Sequence, residues 1–143
     1  MPAHVPPSDG FVEGAGLVSV PSKHNAAVTL DRLETALRQK GIHVFARIDH
    51  AAGAKEAGLS LRPTTVLLFG NPQVGTPLMQ SNQTAGIDLP LKVLVWEDDA
   101  GRAWLTYNDP RYLAGRHKIT DREETVQAMT AGLHALAMAA TAA

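Results

Sequence analysis

Phe69–His117, FGNPQVGTPLMQSNQTAGIDLPLKVLVWEDDAGRAWLTYNDPRYLAGRH, is the stretch whose reading decides the fold. It opens on the end of a β-branched and apolar run, Thr64–Phe69, which reads as a central strand buried on both faces. Gly70 ends that strand. Thr76 followed by Pro77 has the chemistry of an N-cap and a first-turn proline, so a short helix is expected to run to about Thr84 and end near Gly86. Leu91–Trp96 and Ala103–Tyr107 are strand-forming runs. Glu97–Arg102 joins them, with Gly101 as the residue for left-handed backbone, and this predicts an antiparallel hairpin. Asn108-Asp109-Pro110 is a turn, and Pro110 opens one more helical turn.

Upstream, Leu17–Val20 is a short β-prone run closed by Pro21, with Ser22 as a cap for the helix that follows. Ala26, Leu30, Leu33 and Leu37 recur at helical spacing and form one apolar face, and Gly41 stands where a left-handed C-terminal residue belongs. Ile42–Asp49 alternates with period two, which predicts Ile42, Val44, Ala46 and Ile48 on one face of a strand. Ala51–Ala57 is a short helix stopped by Gly58. Downstream, Thr120-Asp121-Arg122-Glu123 has the spacing of a capping box. Val126, Met129, Leu133, Leu136 and Ala140 then give a long amphipathic helix one apolar stripe. About five strands with several helices, one of them long and C-terminal, define an α+β fold with a largely antiparallel sheet.

The chain has 143 residues, 45% hydrophobic and 19% charged, with a formal net charge of -1, which fits one globular domain at 15–143 behind a flexible Pro/Gly-rich segment at 1–14. That charge offers no field for nucleic acid or an anionic membrane, and no run reaches the 18 or so apolar residues of a span. There is no cysteine, so disulfides, thiolate catalysis and Cys-ligated metals are excluded. A cytoplasmic location is expected.

Three pieces resemble the DUF302 family of small bacterial and archaeal proteins: IDHAAGAKEAGLSLRPTTVLLFGNPQVGTPLMQ, GIDLPLKVLVWEDDAGRAWLTYNDP and YLAGRH. They span about Ile48 to His117, and the strand-helix unit at Gly16–Gly41 also fits. The resemblance implies a small α+β domain, often dimeric. It carries no accepted activity and no established catalytic residues.

The residues themselves suggest where a ligand would sit. Gly70, Asn71, Gly75 and Thr76 lie where a buried strand meets a helix N-terminus, a place whose free amides and dipole suit an anion or polar ligand. Tyr107, Asn108 and Asp109 mark a second strand end, and His50 beside Asp49 offers a group that titrates near neutrality. These eight residues form the expected ligand site, with Asn71 and the loop amides orienting the ligand, Tyr107 walling it and His50 responding to charge. The six histidines show none of the paired spacings of a metal site, and no cofactor is indicated. Arg111, Arg116, His117 and Lys118 read as a solvated basic patch. Function is therefore expected to be the binding of a small molecule or a protein partner, as a homodimer. The alternative is an enzyme of hydrolase or isomerase type with His50 or Asp109 as general acid or base. A pure interaction module without a pocket is a third class.

Overall fold

The computed structural model describes residues 11–12 and 15–143. Strands β1 (Phe11–Val12), β2 (Leu17–Pro21), β3 (His43–Asp49), β4 (Thr64–Gly70), β5 (Leu91–Glu97) and β6 (Ala103–Asn108) form one sheet in the order β1-β2-β6-β5-β4-β3, every pair antiparallel. Helices are α1 (Ala26–Gln39), α2 (His50–Glu56), α3 (Pro72–Ser81), α4 (Pro110–Arg116) and α5 (Glu123–Thr141), with a 3-10 segment at Gln83–Asp88. The α+β expectation holds, with a two-residue strand added to the five. The segment read as flexible lies outside the described residues, except for Phe11–Val12, which pair with Ser19 and Val18.

The core follows from pattern. Leu67 and Phe69 of β4, Val93 and Val95 of β5, and Leu105 and Tyr107 of β6 share the face that meets α1 and α5. The stripe read on α5 is buried as expected: Val126, Met129, Leu133, Leu136 and Ala140. The apolar face of α1 meets it through Leu33 and Leu37, both fully buried. At the C-terminal end of α5, Arg32 donates to the carbonyls of Ala139, Ala140 and Ala142, which satisfies acceptors that a helix end leaves free. The hairpin forms with Gly101 at φ +81, and Gly41 closes α1 at φ +67.

Four local expectations are corrected. The alternation in β3 is broken by a bulge: Val44 pairs with Phe69 but Ala46 with Leu68, so Ala46 and Ile48 face away from Val44. Arg47 thereby reaches Glu34 on α1, and Phe45 stands out from the strand, 51% exposed. Second, β4 alternates between buried and half-buried residues rather than being buried on both faces. Third, Asn25 rather than Ser22 caps α1. Fourth, the capping box does not form. Helix α5 starts after Arg122 with no side-chain cap, while Asp121 turns to the Ser81 hydroxyl at 2.5 Å and to Arg122.

Candidate functional site

The strand registers bring five strand ends to one edge of the sheet. His43 pairs with Gly70, Phe69 with Leu91, Val93 with Tyr107, and Leu17 with Asn108. Beside Gly70 at this edge the chain leaves β4 and turns into α3. The turn is capped by Asn71, not by Thr76: Asn71 Oδ1 accepts from the Gln73 amide at 2.9 Å, and Pro72 takes the first helical position. Thr76 and Pro77 fall inside the helix. Pro77 has no N–H to give, so the Gln73 carbonyl loses its helical partner at the exposed side of α3.

This corrects the expected polar chemistry of the loop. The amides of Val74 and Gly75 both donate to the Asn71 carbonyl, at 2.9 and 3.0 Å, and the Gln73 amide is taken by the cap. The first turn of α3 thus has no amide left to orient an anion. What the turn shapes instead is an apolar cleft of about 270 Å³. Gly70, Pro72, Val74 and Gly75 supply one side, and Met79 and Met129 supply sulfur-bearing walls from α3 and α5. Gly86 and Leu89 close it from the 3-10 segment and the turn after it. Pro90, Leu91 and the bulged Phe45 complete it. Asn71 and Thr76 are the polar side chains among its lining residues, and no charged side chain lines it. Glycines at 70, 75 and 86 line it. A Cβ on Gly75 would lie 3.5 Å from Leu89 Cδ1, and one on Gly86 would lie 3.3 Å from Met79 Sδ.

Of the eight residues expected to meet, Gly70, Asn71, Gly75 and Thr76 line this cleft, and His50, Tyr107, Asn108 and Asp109 do not. His50 sits at the other end of β3, seven residues beyond the partner of Gly70 and so roughly 20 Å away. It is exposed, and the cap of α2 is Asp49, which accepts from Ala52. Tyr107 points into the core between sheet and helices, where burial pushes its hydroxyl above the usual phenol range and Asp109 adds to the shift. Asn108 closes β6. Asp109 is buried, caps α4 through the Arg111 amide and holds the Arg111 guanidinium in a two-pronged pair, with Nη2 at 2.8 Å from Oδ2. That hydrogen bond and charge hold Arg111 above its usual range. Both oxygens of that carboxylate are thereby engaged by Arg111.

The cleft residues that sequence reasoning did not group are Phe45, Met79, Gly86, Leu89, Pro90, Leu91 and Met129. The bulge brings in Phe45 and the docking of α5 brings in Met129, and neither leaves a local signal. The solvated basic patch expected at Arg111, Arg116, His117 and Lys118 does not include His117. That residue lies instead inside, its side chain 7% exposed, with Nε2 2.5 Å from Asp88 Oδ2 and Nδ1 2.9 Å from Thr84 Oγ1.

A six-stranded antiparallel sheet with two long helices on one face and an apolar cleft at its strand ends defines a small α+β domain. Residues 18–136 match the family described as "Domain of unknown function DUF302", and the chain belongs to that family. A solved structure, "uncharacterized conserved protein DUF302 from Bacillus stearothermophilus", superposes with a TM-score of 0.78 at 24% identity, covering 87% of this chain and 98% of that one, which establishes the shared fold. The chain is 48% identical over 128 residues, 89% of its length, to "Fluoride-specific ion channel FluC 1" of Brucella suis, of which that match covers 50%. The same identity and extent hold for "Fluoride-specific ion channel FluC 1" of Brucella abortus, where 47% of the relative is covered. The chain therefore spans about half the length of the curated relatives it matches. No helix among the described residues is long and apolar enough to cross a membrane.

Proposed function

We propose that this domain binds a small, uncharged, largely apolar molecule in the cleft beside Gly70. The observation that carries the reading is the lining: apolar side chains and glycine backbone from β3, β4, α3, α5 and the 3-10 segment enclose about 270 Å³, with Asn71 and Thr76 as the polar groups on the rim. Such concave, mostly apolar sites with a few placed polar groups are the usual form of a small-molecule pocket. A charged ligand would leave its charge without a partner there, at a cost of several kcal/mol. The enzyme reading loses support, because Asp109 is tied to Arg111 and His50 is remote from the cleft. The experiment is titration of the chain with N-phenyl-naphthylamine, an uncharged fluorophore, against a Gly75→Leu variant. The side chain of Gly75→Leu would fill the cleft from a backbone position that accepts a Cβ. Binding weakened by about tenfold or more supports the site. Equal binding by both proteins sinks it.

The homodimer belongs to the same proposal and rests on another surface. Strand β3 is a sheet edge, and near it Ile48, Leu59 and Leu61 are 43%, 68% and 49% exposed. Edge strands and exposed apolar side chains are sites of self-association. Native mass spectrometry of the wild type and of Ile48→Lys reads it directly. A cytoplasmic location is part of the proposal for a freestanding domain. A second reading is favoured by the half-length match: in relatives named as fluoride channels, this domain would be the part outside the membrane, and the cleft would let a ligand bias the part within. Loss of ligand-dependent fluoride flux on deleting the domain from such a relative would support that reading.

A further inference from the structure

We infer that His117 is a positioning residue for the cleft: through Asp88, Thr84 and Asn82 it pins the 3-10 segment that forms one of the cleft's walls. The inference rests on the reading of the cleft as a ligand site. Gln83–Asp88 belongs to no sheet ladder, and its one buried residue is Ala85. The bond that closes the segment is a long 3.4 Å contact from the Leu89 amide to the Gly86 carbonyl. Its place against the domain is set instead by side chains. The buried His117 ring bridges two points of the segment, Thr84 Oγ1 at 2.9 Å and Asp88 Oδ2 at 2.5 Å. Arg116 takes the same carboxylate from the other side, at 3.0 and 3.1 Å. Asn82 completes the clasp: its Oδ1 caps the segment at the Thr84 amide, and its Nδ2 donates to the His117 carbonyl at 2.7 Å.

The consequence for the cleft is geometric. Gly86 lies between Thr84 and Asp88, and Leu89 follows at once, and both face the cleft. Leu89 also bounds a void of only about 10 Å³ on the His117 side, so the wall has little room to settle backwards while the clasp holds. Ile87, by contrast, is 73% exposed and holds nothing in place. Without the imidazole, the segment keeps Ala85, the Asn82 clasp and the Arg116–Asp88 pair but loses the one ring that ties Thr84 and Asp88 together. The wall then moves away from Met79, and the cleft loses its fit.

The test uses the full chain with His117→Gln, and Thr84→Val as a milder second variant should the first not fold. Two readouts are taken from each: amide hydrogen exchange across residues 83–89, and the dissociation constant for N-phenyl-naphthylamine. The inference predicts exchange in 83–89 faster by about tenfold or more, with β5 and β6 unchanged, as expected when charge-assisted bonds anchoring one local unit are lost. It predicts probe affinity weaker by about fivefold, although neither residue lines the cleft. Unchanged exchange in 83–89 overturns the clasp. Faster exchange with unchanged probe affinity overturns the positioning role. If the wild type binds no probe, the ligand reading fails on its own while the exchange result still judges the clasp.

Discussion

Gly16 shows how much one residue can carry. It is buried with φ +78, and its carbonyl accepts from the Asp109 amide at 2.8 Å. The Tyr112 ring lies where a Cβ would be, with Cγ at 2.1 Å from that position. Gly16→Ala therefore faces both a left-handed backbone and a ring that must leave, and we expect it to cost about 2–4 kcal/mol by urea unfolding. Asp98 is the counterpart in electrostatics. The Trp104 indole N–H at 2.8 Å holds its carboxyl below the usual range, helped by the amides of Arg102 and Ala100. Because the folded value is depressed, the stabilisation is fully present above about pH 4, the unfolded value, and is lost as pH falls through the folded one. Between neutral and strongly acid pH, wild type should lose more stability than Asp98→Asn in paired denaturation curves. Asp121, lowered first by the Ser81 hydroxyl, adds to the acid limb in the same direction.

Among the elements, the join of α1 to α5 is a structural hinge point of the sequence: it bonds residues more than 100 apart. Arg32 covers three carbonyls at the end of α5, and His24 Nε2 meets the Ala142 carbonyl at 2.7 Å. Arg32→Ala leaves those carbonyls to water, and we expect a loss of about 1–2 kcal/mol together with faster amide exchange in the last turn of α5. Elements also mark where the sequence was legible. The stripe of α5, the Gly101 hairpin and the Pro110 helix follow from spacing and turn chemistry alone. The start of α3 did not, because Asn71-Pro72 and Thr76-Pro77 carry the same signal five residues apart. The first prevails because it abuts the end of β4, and the second proline forfeits a hydrogen bond only at an exposed carbonyl. Strand β3 was misread for a related reason. A period of two cannot announce a bulge, and the bulge leaves Arg47 paired with Glu34 and Phe45 at the cleft.

For the whole molecule, the fold was legible, and the lining of the proposed cleft half so. The loop glycines and Asn71 point to the cleft edge, since they are local. Met129, Leu89 and Phe45 reach it only through tertiary packing, and His117 finds Thr84 and Asp88 about thirty residues upstream. The polar site expected at the loop becomes an apolar one in our proposal because the cap of α3 consumes the amides that would have served a polar ligand. That makes the central claim a claim about place. The measurement that tests it most directly is methyl NMR of the chain with N-phenyl-naphthylamine, reading the methyls of Met79, Leu89, Leu91 and Met129. The account predicts saturable shifts confined to those methyls, abolished in Gly75→Leu. Shifts centred instead on Ile48, Leu59 and Leu61, or none that saturate, would contradict it.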